Sequence, residues 1–354
     1  MQYNYLGRSG LKVSALQLGT MTFGGGGFFA KAGNTDIEGA KRQIAMAMDA
    51  GVNMLDTSNV YSDGLSEQII GKAIEGRRKD LLLATKVRFP TGSGPNDRGL
   101  SRHHIIEACE ASLKRLGTDY IDLYWCHEWD GMTPVEETLR AMDDLQKAGK
   151  IRYLGVSNFS GWHIMKYLGV AEREHLVYPV AQQIHYTLQA REAEQELLPV
   201  GIDQGLGAVI WSPLACGLLT GKYRRGKPDP EGTRRVQGWT EPPVHDIEAL
   251  YDIVEMLVEV ANGYDGVTPA QVALCWLMNR PGVASLIVGA RNEAQLADNL
   301  KATELALSAE AIDKLEKVSR KPLAYPYWHQ RNTAYDRLSE ADLSLIAPHL
   351  ENKA

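Results

Sequence analysis

Short apolar runs alternate along the chain with longer amphipathic segments. The runs are rich in β-branched or aromatic side chains, which is the pattern of buried strands. They occupy residues 16–19, 53–56, 81–86, 121–127, 152–157, 180–184, 207–212 and 284–289. Segments between them, such as 36–51, 101–117 and 134–150, repeat apolar residues at helical spacing, begin at a capping residue or a proline and end near a glycine. The pattern predicts strands alternating with helices.

The strand and helix units repeat about every 30 residues, the length of one βα unit. Eight short runs favour a closed parallel barrel over an open doubly wound sheet, whose central strands are longer and more continuously apolar. We therefore predict an α/β protein with a single (β/α)8 TIM barrel over residues 1–354.

Three segments depart from this repeat. Residues 1–15 alternate polar and apolar positions around Gly7 to Gly10, which predicts an N-terminal β-hairpin that closes the bottom of the barrel. Residues 221–244 are rich in glycine, proline and arginine without periodicity, which predicts a long loop after strand seven. The tail, residues 320–354, contains the aromatic run PLAYPYWHQ. We expect it to pack near the barrel mouth.

Composition and charge narrow the function classes. The chain has 354 residues, is 44% hydrophobic and carries a net charge of −6, so we expect no nucleic-acid partner and no attraction to an anionic membrane. It has neither an apolar signal core near its start nor an 18-residue apolar stretch, so we expect a cytoplasmic protein. Its four cysteines are far apart and form no C-x-x-C pair, which indicates reduced, packed thiols.

Groups that move or stabilise protons follow consecutive strands. Asp56 and Tyr61 follow strand two, Lys86 ends strand three, and His127 ends strand four. Each has an ordinary alternative role when it stands alone: a helix cap, a rim group, a snorkelling lysine or a core histidine. Because catalytic groups of such barrels gather at the carboxyl ends of the strands, their joint placement favours one active site.

These four side chains suit the reduction of a carbonyl group. Tyr61 would protonate the carbonyl oxygen, and a nearby Lys86 ammonium is expected to lower the tyrosine pKa. Asp56 would compensate the buried ammonium. His127 would hydrogen-bond and orient the carbonyl oxygen. Hydride would come from a bound cofactor.

Other chemistries fit less well. The glycines at 24–27 do not form a G-x-G-x-x-G dinucleotide motif, and GVSNF at 155–159 lacks the last glycine of a nucleophile elbow. His103 and Glu107 lie one helical turn apart, but a solvated helix face explains them better than a metal does. We predict no metal. A lyase or hydrolase that uses the same mouth remains a weaker alternative.

Longer motifs identify a resemblance. Residues 53–61 read N-x-x-D-T-x-x-x-Y, and GVSNF (155–159), QQIHY (182–186), WSPLACGLLTGKY (211–223) and GARNEAQLADNL (289–300) follow in order. Together with Lys86 and His127, they make residues 3–320 similar to the aldo-keto reductase superfamily, whose members use an Asp, Tyr, Lys and His tetrad. The resemblance implies a (β/α)8 barrel that binds NADPH across its mouth.

The resemblance also implies a cofactor site. Its residues here would be Thr20, Met21, Asp56, Ser157, Asn158, Gln183, Trp211, Ser212, Pro213, Leu214, Gly217, Lys222, Arg234, Gly289, Arg291, Gln295 and Asn299. The amide and hydroxyl side chains at 157, 158 and 183 would bond the carboxamide, Trp211 would stack on the nicotinamide, segment 212–222 would hold the pyrophosphate, and segment 289–299 the adenosine end. Arg291 suits a 2′-phosphate, which favours NADP(H) over NAD(H). Whether Arg234 or Arg235 adds to this site, or both are merely exposed, stays open.

The substrate and the biological role are less specified. Met21, Phe28, Phe29 and Trp129, with Tyr325, Tyr327 and Trp328 of the tail, predict an aromatic pocket for a small-molecule carbonyl substrate that is aromatic or otherwise bulky and apolar. The tail aromatics alternatively only pack on the barrel. The cofactor segments are also similar to those of potassium-channel beta subunits, which implies an alternative role as an NADP(H)-sensing regulatory protein. Those subunits carry an asparagine at the fourth tetrad position, where this chain has His127. The sequence leaves the oligomeric state open.

Overall fold

The chain begins with a two-stranded hairpin. In the computed structural model, which describes residues 1–350, β1 (Tyr3–Tyr5) pairs antiparallel with β2 (Lys12–Ser14). Leu6 and Val13 are fully buried and pack against the side chains that fill the barrel interior. The Arg8 amide donates to the Gly205 carbonyl at 2.8 Å, just before a barrel strand begins. The hairpin thus covers the amino-terminal end of the barrel, as predicted.

The remaining strands form a closed parallel barrel. They are β3 (Leu16–Gly19), β4 (Met54–Asp56), β5 (Leu82–Val87), β6 (Ile121–Cys126), β7 (Ile151–Ser157), β8 (Pro179–His185), β9 (Gly207–Trp211) and β10 (Val283–Val288). Each strand pairs with the next along the chain, and β10 pairs with β3 to close the ring. The eight-stranded barrel predicted from the apolar runs is confirmed.

Helices surround the barrel. They are α1 (Ile37–Asp49), α2 (Leu65–Ala73), α3 (Arg102–Leu116), α4 (Val135–Lys147), α5 (Gly161–Glu174), α6 (Leu197–Gln204), α7 (Ile247–Asn262), α8 (Pro269–Met278), α9 (Glu293–Leu300), α10 (Ala309–Ser319), α11 (Tyr327–Thr333) and α12 (Glu340–Ile346). Local chemistry sets several of their ends. The Ser101 side chain caps α3, which stops at Gly117 in the left-handed conformation (φ 63°), a conformation that glycine adopts at little cost.

The long loop and the tail are the two later segments that depart from the repeat of strands and helices. Residues 221–246, all of which the structure describes, contain neither helix nor strand, as expected for the loop after the seventh barrel strand. In the tail, α12 packs against α6 on the outer ring of helices. The Arg331 side chain donates to the His349 carbonyl at 2.5 Å, which connects α11 to the turn at 347–349 after α12. Residues 351–354 of the predicted tail lie outside the described residues.

The barrel interior depends on one large residue beside one glycine. Trp125 of β6 is fully buried in the interior cluster. Its indole occupies the space beside Gly155 of β7, where an added Cβ would lie 2.2 Å from the ring carbon Cε3. The ring cannot move away from the added methyl group, because it is fully buried inside the closed barrel.

We therefore expect Gly155→Ala to lower the free energy of unfolding by about 1–3 kcal/mol through overpacking. Gly169→Ala is the matched control, since no atom lies within 4 Å of its added Cβ and alanine favours a helix over glycine by about 0.5–1 kcal/mol. Denaturant unfolding of both variants measures the difference. Equal stability of the two would show that the Trp125 contact is not restrictive.

Candidate active site

The carboxyl ends of the barrel strands bring the predicted tetrad together. Asp56 is the last residue of β4, and Tyr61 begins a 3-10 turn (Tyr61–Gly64) five residues later. Lys86 lies near the end of β5, and His127 directly follows β6. Because β4, β5 and β6 are neighbours in the sheet, the four side chains meet at one place.

Lys86 is the centre of this arrangement. Its ammonium is fully buried and donates to Asp56 Oδ1 at 2.5 Å and to the Thr57 carbonyl at 2.6 Å. It also donates to the Tyr61 hydroxyl at 3.3 Å. The second carboxylate oxygen of Asp56 accepts a 3.0 Å bond from the Gln183 amide. Both charges of this ion pair are thus compensated by hydrogen bonds, as a buried pair requires.

Burial and this pairing set the protonation states. Burial opposes the charged form of Lys86, but Asp56 and Tyr61 outweigh it and raise the lysine pKa. Burial likewise raises the pKa of Tyr61, and the Lys86 ammonium offsets only part of that shift. Lys86 therefore acts on the tyrosine pKa in the expected direction, but desolvation of the phenolate is the larger effect, so the pKa lies above its ordinary value. At neutral pH the phenol keeps its proton and the ammonium keeps its charge.

His127 is held as a neutral imidazole. Burial, followed by the charges of Lys86 and Arg88, lowers its pKa well below the ordinary value. Its Nδ1 lies 3.2 Å from the Ser58 hydroxyl, and its ring packs edge-on against Phe89 at 4.7 Å between centroids. When Ser58 donates to Nδ1, the Nε2–H remains a hydrogen-bond donor. The Tyr61 and His127 rings lie 6.2 Å apart.

The tetrad opens onto a cavity of about 1660 Å³. Ligand pockets are commonly about 300–1,000 Å³, so this one has room for a cofactor and a substrate together. Among the predicted cofactor residues, those that line it are Thr20, Met21, Asp56, Asn158, Gln183, Trp211, Ser212, Pro213, Leu214, Gly217, Lys222, Arg234, Gly289, Arg291, Gln295 and Asn299. Ser157 and Lys86 are buried and do not belong to the lining itself.

One part of the cavity wall is an amide and indole cluster. The Trp211 indole donates to Asn158 Oδ1 at 2.9 Å, and the Asn158 amide donates to the His127 carbonyl at 3.1 Å. Trp211 also packs against His185, with 4.5 Å between ring centroids. These bonds fix the orientation of the indole and of the amide beside the tetrad.

The far part of the cavity carries three cations, Lys222, Arg234 and Arg291. Burial, followed by the neighbouring charges of Arg291 and Arg234, lowers the pKa of Lys222. The Arg291 guanidinium donates to the Lys31 and Gly232 carbonyls at 2.8 Å, and both arginines donate to the Ala32 carbonyl at 3.2 Å. Arg235 instead pairs with Asp229 on the surface, so Arg234 is the one of the two that faces the cavity.

The predicted substrate residues are only partly brought together. Met21, Phe28 and Phe29 line the cavity. The placement of Trp129, Tyr325, Tyr327 and Trp328 in its wall is wrong. Trp129 stacks on His163 of α5 at 3.9 Å, and the tail aromatics Tyr325 and Trp328 are 75% and 47% exposed.

Several side chains of the cavity wall were not predicted from the sequence. Phe89, Glu128 and His185 line the cavity within a few residues of the ends of β5, β6 and β8, so their position after a strand was the available signal. Trp239 of the long loop also lines it and packs against Phe28 at 5.0 Å. Nothing in the local sequence pattern predicts that contact. Cys216, expected to be packed in the core, also borders the cavity.

The described residues, 1–350, contain no arrangement typical of a metal site or of a membrane span. No group of three or more histidine, cysteine, aspartate or glutamate side chains is arranged to hold a metal ion in that range. None of the helices described there is long and apolar enough to cross a membrane.

Comparison with known proteins shows the family of the chain. The model of the Aldo/keto reductase family matches residues 15–320. A probable voltage-gated potassium channel subunit beta of Arabidopsis thaliana is 40% identical over 326 residues, which cover 90% of this chain and 96% of the relative. A putative subunit of the same kind from Schizosaccharomyces pombe is 39% identical and covers 89% and 92%. An uncharacterized oxidoreductase of Bacillus subtilis is 40% identical and covers 90% and 96%. The chain belongs to the aldo/keto reductase family, and the family together with the oxidoreductase relative supports an oxidoreductase.

Proposed function

We propose that the chain is an NADPH-dependent reductase that converts aldehydes or ketones to alcohols, with Tyr61 as the general acid. The observation that carries the proposal is the Lys86 ammonium, which bonds Asp56 on one side and the Tyr61 hydroxyl on the other. A structural ion pair alone would not need a phenol at the cavity surface. The phenol is placed where a carbonyl oxygen in the cavity would receive its proton.

The chemistry of the cavity supports a phosphorylated cofactor. None of Lys222, Arg234 and Arg291 forms a salt bridge within residues 1–350, and like charges gathered in this way favour an anionic ligand. Two hydroxyls beside the cavity, Ser157 Oγ and Thr233 Oγ1, are buried without a hydrogen-bond partner in the described chain. Buried polar atoms are rarely left unpaired, so they fit a ligand that supplies partners. NADP(H) meets both requirements.

The chain's own residues would donate the proton and stabilise the charge that is left. The reduced nicotinamide supplies the hydride when it is bound. Tyr61 donates its proton to the carbonyl oxygen, and the Lys86 ammonium stabilises the phenolate that is left. Asp56 keeps Lys86 charged, and the neutral His127 donates from Nε2 to hold the oxygen in place. Asn158 and Trp211 would hold the nicotinamide ring and its amide.

The choice of NADP(H) over NAD(H) rests on the cationic end of the cavity. Removing one charged hydrogen-bonding partner costs about 1.5–3 kcal/mol, which is about 10–100-fold in affinity. We expect Arg291→Ala to weaken NADPH binding by that factor and to change NADH binding far less, in fluorescence titrations of both cofactors. Arg235→Ala is the matched control, because this neighbouring arginine is exposed and pairs with Asp229. An equal loss of affinity for NADPH and NADH would mean that Arg291 only hydrogen-bonds the loop carbonyls of Lys31 and Gly232.

A second candidate is an NADP(H)-sensing regulatory protein. It is favoured by the relatives from Arabidopsis thaliana and Schizosaccharomyces pombe, which are named as potassium channel beta subunits. The test is affinity purification in the presence of NADPH or NADP+, followed by identification of the bound proteins. A partner whose association depends on the redox state supports this function. The lyase or hydrolase alternative would not require tight, stoichiometric NADPH binding.

A further inference from the structure

The cavity lining carries charges of both signs. The cations of the described lining are Lys222, Arg234 and Arg291, and the Arg234 guanidinium lies over the Trp239 ring at 5.8 Å from the centroid. Besides Asp56, the carboxylates that line the cavity are Asp63, Glu128, Glu231, Glu241 and Asp298. Of these, Asp63 lies two residues after Tyr61 and Glu128 directly follows His127, so these two belong to the segments that carry the tetrad.

Glu128 is the best placed of these carboxylates. It directly follows His127 and is half-buried in the cavity wall. Its Oε1 accepts a 3.2 Å bond from the Trp129 amide, and its carboxylate forms no salt bridge in the described chain. Burial raises its pKa, the Trp129 amide and Arg88 oppose this, and Glu241 adds to it. The Glu241 charge thus acts on Glu128.

Arg88 does not neutralise this region from within the cavity. It lies next to Phe89 in the chain, and its guanidinium packs over the Phe89 ring at 5.3 Å from the centroid. The arginine is absent from the cavity lining that the structure describes. The Arg88 charge still lowers the pKa of Glu128, but Arg88 forms no salt bridge with this carboxylate in the described chain.

Aromatic faces surround the same region. Phe89 contacts His127 at 4.7 Å, Phe29 contacts Tyr61 at 5.2 Å, and Phe28 contacts Trp239 at 5.0 Å between ring centroids. Such faces bind aromatic rings and also attract cations through the ring quadrupole. The buried Nε2 of His185, which lines the cavity beside Trp211, has no partner in the described chain. Aromatic walls, an unused hydrogen-bonding nitrogen and an unpaired carboxylate together point to a ligand.

We infer that the substrate is an aromatic carbonyl compound that carries a positive charge, with its ammonium group beside Glu128 and its carbonyl beside Tyr61. The inference rests on the proposed reductase function. Glu128 is the residue that selects substrates by their charge, and Glu241 adds a second negative charge. Carbonyl compounds that carry a carboxylate are therefore poorer substrates. The cationic part of the cavity does not oppose this choice, because a phosphorylated cofactor would take those charges.

The first test uses three benzaldehydes that differ in one para substituent: trimethylammoniomethyl, its neutral isostere neopentyl, and carboxymethyl. We expect wild-type kcat/KM with NADPH to favour the cation over the carboxylate, and Glu128→Gln to reduce that ratio about 10-fold, the size of a partly screened charge interaction. Comparing ratios between proteins removes the electronic effect of each substituent. Glu107→Gln, an exposed change of the same charge on α3, is the control and should leave the ratio unchanged.

The second test separates charge selection from turnover. Benzyltrimethylammonium and phenylacetate, which cannot be reduced, are titrated calorimetrically into the protein. Tighter binding of the cation by the wild type, and loss of that preference in Glu128→Gln, supports the inference even if no aldehyde is reduced. Absence of turnover with all three aldehydes would count against the proposed reductase only. Equal binding of the two ions, or a preference that survives Glu128→Gln, overturns the inference itself.

Discussion

Replacing Tyr61 with phenylalanine is expected to lower kcat/KM for aldehyde reduction about a thousandfold, within the range that a general acid contributes. The ring still packs against Phe29 after this change, so the cavity keeps its shape. The hydroxyl bonded to Lys86 is lost, and with it the proton donor. NADPH affinity should stay within about twofold, because the far part of the cavity is untouched.

Tyr124→Phe provides the matched control for that experiment. The Tyr124 phenol is fully buried on β6 and has no hydrogen-bond partner among residues 1–350. Removing the Tyr124 hydroxyl should leave kcat/KM within about twofold of the wild type. Both variants are measured with NADPH and an aromatic aldehyde, together with a cofactor titration. A Tyr61→Phe variant that retains most of its activity would show that another group supplies the proton.

The second large effect is expected from Lys86→Met, which leaves the Asp56 carboxylate buried without its ion-pair partner. Removing one member of a buried pair costs about 3–5 kcal/mol of unfolding free energy. Activity should also be lost, because the phenolate of Tyr61 then has no cation beside it. Chemical denaturation and steady-state kinetics measure the two losses separately.

The double variant Asp56→Asn with Lys86→Met separates the two roles of the pair. It removes both buried charges, so the free energy of unfolding should recover most of the loss, while activity should stay low. A single Lys86→Met variant that is as stable as the wild type would contradict the account of the pair. Recovery of activity in the double variant would show that the Lys86 charge is not needed for catalysis.

The parts of the site that depend on strand ends could be predicted from the sequence. Asp56 ends β4, Lys86 lies one residue before the end of β5, and His127 directly follows β6. In a closed parallel barrel these positions must meet at one end. The apolar runs locate the strands, so they also locate any side chain at a strand end.

The orientation of loops and the balance of pKa effects could not be predicted in the same way. Trp129 lies two residues after His127, yet it is absent from the described cavity lining and stacks on His163 of α5 at 3.9 Å. Trp239, more than 100 residues farther along, takes a place in the cavity wall instead. The pKa of Tyr61 depends on how deeply Lys86 and the phenol are both buried, and that depth is a property of the folded barrel.

The most direct test of the central claim is to follow a deuterium label from the cofactor. NADPH carrying deuterium at the transferred position of the nicotinamide is incubated with the protein and an aromatic aldehyde, and the products are analysed by mass spectrometry. The reductase account predicts one deuterium on the carbinol carbon of each alcohol and one NADP+ formed for each alcohol. Tight NADPH binding without alcohol formation across a broad aldehyde and ketone panel would contradict it and favour the sensing role.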